Sequence, residues 1–166
     1  MQTKDAIKLR RSTREFDSRA VISRENIEKL IDAARLAPTA RNTQPWEFIV
    51  ITDRDALERI SSLTDNGRFV KDASACIVIF CKDTKYYLED GCAATENLLL
   101  AATDLGLDSC WVAGDKKPYC SGIKELLKVP DEFKLVSLIA LGKAKIKKED
   151  IVPKRSLNEV IHWDKF

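Results

Sequence analysis

The segment from Tyr86 to Leu105 constrains this chain more than any other. It reads as a long helix, rich in Ala and apolar on most of its faces. A surface helix carries one apolar stripe, whereas a helix apolar nearly all round is buried in the middle of a structure. Gly106 follows as its natural C-cap. The remaining chain must therefore enclose it. At 166 residues, 45% of them hydrophobic, the chain is large enough to do so as one domain.

The rest of the pattern supplies strands and shorter helices. Asp5–Arg11 reads as a short helix ending in basic residues. Ser23 is a good N-cap, and Ile27, Leu30, Ile31 and Ala34 follow at helical spacing, predicting an amphipathic helix over Arg24–Leu36. Pro38 stops it, and Ala37–Pro45 is a polar loop. Glu47–Thr52, Ala75–Cys81, Ser109–Val112 and Leu135–Leu141 are apolar runs of strand length. Asp53 caps a helix carrying Leu57, Ile60 and Leu63, Asn66-Gly67 is a turn, and Gly122–Leu127 is a short helix. Helices and strands mix without strict βαβ alternation, so the expected class is α+β. The whole of 1–166 is expected to form one domain. Its tail, 143–166, is polar apart from Ile146, Ile151, Val152, Leu157, Val160, Ile161, Trp163 and Phe166. That is too little to form a core and too much to float free, so the tail should lie across another surface, such as a partner subunit.

Composition excludes several classes. No apolar run approaches the ~18 residues of a membrane span, and the N-terminus, MQTKDAIKLRRS, has no apolar signal core. Five cysteines without a CxxC pair, beside one histidine, suggest reduced thiols and a cytoplasmic protein without a metal site. The net charge of +2 is unevenly spread. Residues 1–45 carry ten Lys/Arg against six Asp/Glu, residues 46–142 eleven against sixteen, and residues 143–155 six against two. Two basic ends around an acidic middle suit an anionic ligand held by both ends, or simply two solvated surfaces. They do not make the continuous basic face of a nucleic-acid binder.

Four segments carry groups suited to ligand chemistry. Arg10-Arg11-Ser12-Thr13-Arg14 combines forked cationic donors with hydroxyls, as a phosphate requires; a solvated basic turn is the plainer reading. The loop from Ala37 to Trp46 is dense in amides and hydroxyls. It suits a heterocycle with alternating C=O and N–H, or a stiff turn whose amides satisfy backbone. Cys110–Asp115 is a strand end with Gly114, where backbone N–H groups can approach a ligand. Lys154-Arg155 is a second basic pair, in the tail.

Taken together, RRSTR, APTARNTQPWEF, the Ala-rich helix with Glu96-Asn97, GLDSCWVAG and PKRSL resemble the nitroreductase family of FMN-dependent enzymes, from residue 10 to residue 157. The resemblance implies an α+β sandwich. Its central, mostly antiparallel sheet is flanked by helices and completed by a C-terminal strand exchanged in a homodimer that holds two FMN at its interface. Residues matching the family's phosphate and ribityl contacts are Arg10, Arg11, Ser12, Lys154 and Arg155. Arg14 matches the basic residue at the flavin N1/O2 edge. Pro38, Thr39, Asn42 and Gln44 match the loop that reaches the flavin, in part from the partner. Asn66 matches a residue on the pyrimidine side, and Ala113 and Gly114 match the backbone facing N5. Two departures stand out. Phe69 occupies a position where some members carry a second Lys, and the chain lacks the insertions that wall the substrate pocket in larger members.

The reaction so implied is hydride transfer from NAD(P)H through flavin N5 to a nitroaromatic, quinone or similar acceptor. Donor and acceptor take turns, and the protein supplies no catalytic side chain beyond Arg14 as charge partner. The same scaffold could instead host a dehydrogenase-, dehalogenase- or flavin-destroying reaction, or bind flavin without catalysis. NAD(P)H, a small acceptor and a second copy of the chain are the expected partners.

Overall fold

Apolar residues that follow one another without alternation can be sheltered in a strand only if both faces of the sheet are covered. Two such runs, Ala75–Lys82 and Phe133–Gly142, are the interior strands of a single sheet. The structure, a computed structural model, describes residues 1–146 and 153–166. Among these, the elements in order are α1 (Thr3–Leu9), α2 (Arg24–Arg35), β1 (Trp46–Ile51), α3 (Arg54–Leu63), β2 (Ala75–Lys82), α4 (Tyr87–Asp104), β3 (Asp108–Ala113), α5 (Cys120–Leu127) and β4 (Phe133–Gly142). Short 3-10 turns lie at Ala40–Asn42, Arg68–Asp72 and Leu157–Glu159. The sheet runs β1-β2-β4-β3, and every neighbouring pair is antiparallel.

Alternate residues of the interior strands build two separate cores. Ala75, Ile77, Ile79, Ile139 and Leu141 face Leu30 of α2 and Leu98 of α4. Cys76, Val78, Phe80, Leu138 and Ala140 face Leu57 and Ile60 of α3 and Ile123 of α5. Helix α4 buries Asp90, Gly91, Ala94, Thr95, Leu98, Leu99 and Ala102, as its composition requires. The chain is thus an α+β sandwich around an antiparallel sheet, as expected. None of its described helices is long and apolar enough to cross a membrane.

A bulge refines the sheet. Ile79 pairs with Ser137 and Phe80 with Leu135, leaving Val136 as the extra residue of β4. Two glycines fit against it. A Cβ on Gly91 would lie 2.7 Å from Val136 Cγ2, and one on Gly114 would lie 2.8 Å from the Val136 carbonyl. The bulge therefore sets how closely α4 and the end of β3 approach β4.

The expected boundaries hold to within two residues. One shift matters. Helix α1 ends at Leu9 rather than Arg11, because Arg10 leaves the helix at ψ 127°. The Arg11 guanidinium then folds back to donate to the carbonyls of Lys8 (2.6 Å) and Arg10 (2.8 Å), closing the helix end. Ser23 and Asp53 cap α2 and α3 by accepting from Asn26 N–H and Ala56 N–H. In the tail, residues 153–166 are exposed throughout, with Trp163 82% and Phe166 fully exposed. Ile151 and Val152 lie outside the described residues.

Candidate active site

The chain leaving α1 runs beside the outer edge of β3. Ser12 bridges Ser109 in parallel, Thr13 N–H donates to the Ser109 carbonyl (2.9 Å), and the Asp108 carboxylate receives Ala144 N–H (2.8 Å). This lacing places the basic segment over Cys110. Burial pushes the Cys110 thiol up, while the charge of Arg14, the Ser12 hydroxyl and the charge of Arg10 act against it. Arg10, Ser12 and Arg14 thus all favour the charged form of one thiol. Arg14 is exposed and forms no ion pair among the described residues, and Arg10 reaches only Glu96, at 4.0 Å. Arg11 differs, since its guanidinium is partly engaged in closing α1.

The end of β3 offers one free donor rather than two. Gly114 N–H points inward and donates to the Val136 carbonyl (3.0 Å). The expectation that both Ala113 and Gly114 present N–H groups is corrected to this extent. In an antiparallel ladder, alternate residues turn their N–H groups away from the partner strand. Trp111 and Ala113 are therefore the residues whose N–H groups face the open edge. The turn that follows is tied down from three sides. Tyr119 hydroxyl donates to the Ala113 carbonyl, Cys120 thiol to the Gly114 carbonyl (2.6 Å) and Tyr87 hydroxyl to Asp115 Oδ1 (2.5 Å). The hydrogen bond to Asp115, aided by burial, pushes the Tyr87 phenol up to about 12.

The amide-rich loop is bent rather than extended. Arg41, Asn42 and Gln44 have φ of 56°, 56° and 48°, a left-handed region rare for residues with side chains. Thr39 Oγ1 donates to Asp90 Oδ2 (2.8 Å), and Ala40 N–H donates to Asp90 Oδ1 (3.0 Å). Gln44 N–H returns to Thr39 Oγ1 (3.1 Å), and Gln44 Nε2 donates to Asn42 Oδ1 (3.1 Å). Pro38, Asn42 and Gln44 are exposed, and Thr39 is half-buried. A cavity of 260 Å³ opens beside the loop, bounded by Arg41, Lys85 and Tyr86.

Among the described residues no hydrogen bond joins the remaining expected residues to these groups. Asn66 is exposed in the turn after α3. Phe69, in place of a Lys, lies half-buried against the core, its ring tilted toward that of Phe16 with centroids 6.2 Å apart. Lys154 and Arg155 are exposed, and Arg155 donates to the Glu159 carbonyl (2.5 Å) beside a capping box formed by Ser156 and Glu159. Among the described residues no hydrogen bond or ion pair joins 154–155 to 10–14 within one chain. Sequence reasoning passed over Asp90 and Tyr87, and gave Asp115 a place in the strand-end segment but no role. Asp90 had a signal: it is acidic, yet it precedes Ala94 and Leu98 on one apolar helical face.

The donor chemistry gathered here fits a phosphorylated, amide-bearing ring. Guanidinium groups and a hydroxyl at one end of β3, and a backbone N–H at the other, match a phosphate and a ring nitrogen respectively. Comparison with known proteins points the same way. The model of the Nitroreductase family matches residues 7–83 and 69–143. A protein of Archaeoglobus fulgidus named as an NADH dehydrogenase/NAD(P)H nitroreductase is 40% identical over 148 residues, 84% of each chain. The crystal structure of a Parabacteroides distasonis protein with the same name superposes with a TM-score of 0.93 at 30% identity, covering 100% of this chain and 99% of that one. A Desulfovibrio desulfuricans nitroreductase in complex with FMN superposes with a TM-score of 0.87 at 25% identity, covering 100% and 98%.

Proposed function

The chain belongs to the nitroreductase family, and from that premise we propose that it is an FMN-dependent oxidoreductase that draws on NAD(P)H and reduces a nitroaromatic, quinone or similar small acceptor. The observation that carries this reading is the lacing of the segment Arg10–Arg14 along the outer edge of β3, where Ser12 bridges Ser109 and Thr13 N–H donates to the Ser109 carbonyl. FMN, when bound, supplies the hydride chemistry at its N5.

The chain's own residues bind and orient it. Arg10 and Ser12 take the phosphate end, which carries about −2 charge and calls for fixed cationic donors. Arg11 contributes the donors left over from closing α1. Lys154 and Arg155 join from a second copy, consistent with their separation from the first segment within one chain. Arg14, permanently charged and exposed, would hold the N1/O2 edge of the ring and favour negative charge there. Ala113 N–H, on the open edge of β3 beside the inward bond of Gly114, would serve as the backbone donor to N5. Thr39, Asn42 and Gln44, with Pro38, present the amide loop to the ring, and Asn66 approaches its pyrimidine side.

A homodimer is part of the same proposal. The described tail keeps Leu157, Val160, Ile161, Trp163 and Phe166 exposed, and α1 exposes Ile7 and Leu9. Apolar surface of that kind marks an interface. Donor and acceptor share one open face, so they bind in turn.

Anaerobic mixing tests the reading. The purified protein should be yellow, should bleach with NADH or NADPH, and should regain colour with an acceptor. Double-reciprocal plots at several acceptor concentrations should be parallel. Colour that persists against both nicotinamides would leave a flavin binder without this activity.

A further inference from the structure

Asp90 sits in the first turn of α4 with 5% of its surface exposed. A buried carboxylate without a cation is costly unless hydrogen bonds satisfy it. Asp90 forms no ion pair among the described residues. Both of its oxygens instead accept from the amide-rich loop, one from Thr39 Oγ1 and one from Ala40 N–H. The positive end of α4 adds a favourable field.

The loop so held is strained. Three of its residues, Arg41, Asn42 and Gln44, keep left-handed backbone, which L side chains rarely adopt. Thr39 connects the anchor to the strain, because its hydroxyl gives its proton to Asp90 and accepts Gln44 N–H. Without the carboxylate, Thr39 and Ala40 lose their fixed acceptor and the loop is free to relax. An Asn at this position would turn an NH₂ toward one of the two donors.

We infer that Asp90 is a positioning residue: from beneath the loop it fixes the strained conformation that presents the Asn42 and Gln44 amides, before any ligand arrives. The presented ligand rests on the flavin reading above; the holding of the loop does not. If a released loop adopts the competent shape a tenth of the time, affinity falls about tenfold.

The test uses full-length Asp90→Asn and Thr39→Val beside the unmodified chain. Exposed Arg41 lies within the loop, so trypsin cleavage after Arg41 in flavin-free protein, mapped by mass, reports loop release directly. Both variants should be cut there on the order of tenfold faster. FMN, titrated by quenching of its fluorescence, should bind on the order of tenfold more weakly to both. Thr95→Val is the control. Thr95 is buried five residues further along the same helix, and its hydroxyl bonds the Gly91 carbonyl (2.8 Å) and Ser137 (2.7 Å) rather than the loop. It should lower stability yet keep unmodified cleavage at Arg41 and unmodified FMN affinity. Equal cleavage in Asp90→Asn and the unmodified chain overturns the inference. So does a Thr95→Val protein that matches Asp90→Asn in both readouts. An unmodified chain that takes up no FMN overturns the flavin reading instead, and the cleavage rates alone then decide the role of Asp90.

Discussion

Gly114→Ala is expected to damage both the fold and the cofactor site, and the geometry sets the size of the effect. The added Cβ would lie 2.6 Å from Leu135 Cγ and 2.8 Å from both C and O of Val136. Leu135 can rotate, but the Val136 backbone is the bulge of an interior strand and cannot. The two strands must separate by roughly 0.6 Å to reach ordinary contact, an overpacking strain of about 1–3 kcal/mol. Separation also weakens the Gly114 N–H bond to the Val136 carbonyl, worth about 1 kcal/mol. A loss of about 2–4 kcal/mol corresponds to a fall in Tm of roughly 4–16 °C for a chain of this size. Ala113 N–H moves with the strand, so FMN affinity should fall as well. Gly122→Ala is the matched comparison. Its Cβ would meet only the flexible end of Leu63, at 3.2 Å, and it lies within α5. There Ala should be neutral or stabilising by up to ~1 kcal/mol. Thermal unfolding by circular dichroism with excess FMN reads both variants. A Gly114→Ala protein with the Tm and FMN affinity of the unmodified chain would refute the close approach and the role given to the strand end.

The remaining predictions follow from the same contacts. Arg10→Ala combined with Arg155→Ala should purify nearly colourless, because each charge-assisted contact to phosphate is worth ~1.5–3 kcal/mol; full flavin content would relocate the phosphate site. Burial holds the Cys76 and Cys81 thiols up at about 12, so native protein at mildly alkaline pH should resist iodoacetamide at both and react only when unfolded, as peptide mass mapping can show. The Tyr87 phenol is raised from 10.0 to about 12 by its bond to Asp115. Its neutral form therefore favours the folded state below pH 10, and that contribution is lost as pH rises from about 10 to about 12. Urea unfolding across this range should show the decline, and Tyr87→Phe should flatten it.

Much of the sandwich was legible because its signals are local. The unbroken apolar runs of β2 and β4 announce strands covered on both sides, and the Ala-rich α4 announces its own burial. Ser23 and Asp53 mark helix starts by side-chain oxygens that the structure uses as caps. Strand order was hidden, because the pairing of β2 with β4 joins residues far apart in sequence. The bulge at Val136 was equally hidden, since nothing in FKLVSLIALG marks one residue as extra. At the site, the composition of 10–14 pointed to an anion. It could not show that Arg11 folds back onto Lys8, because a basic last turn suits a helix end and a ligand alike. The role of Asp90 was obscured by counting it with the acidic middle of the chain. Only its position on the apolar face of α4 distinguishes it from surface charge.

The place of β4 has a consequence for how the protein is made. It is the last strand among the described residues, yet it stands between β2 and β3. During synthesis β1 and β2 can meet early. Until Phe133–Gly142 has emerged, however, β2 offers a bare edge and β3 has no neighbour in the sheet. Ile77 and Ile79 on one face, and Val78 and Phe80 on the other, then have earlier helices to pack against but lack their cross-strand neighbours Ile139, Leu138, Ser137 and Leu135 on β4. Unpaired edges and uncovered apolar faces invite association between nascent chains. The ribosome must therefore release nearly the whole domain before either core can close. A chain arrested before Phe133 is a substrate for chaperones and proteases rather than a partly folded enzyme.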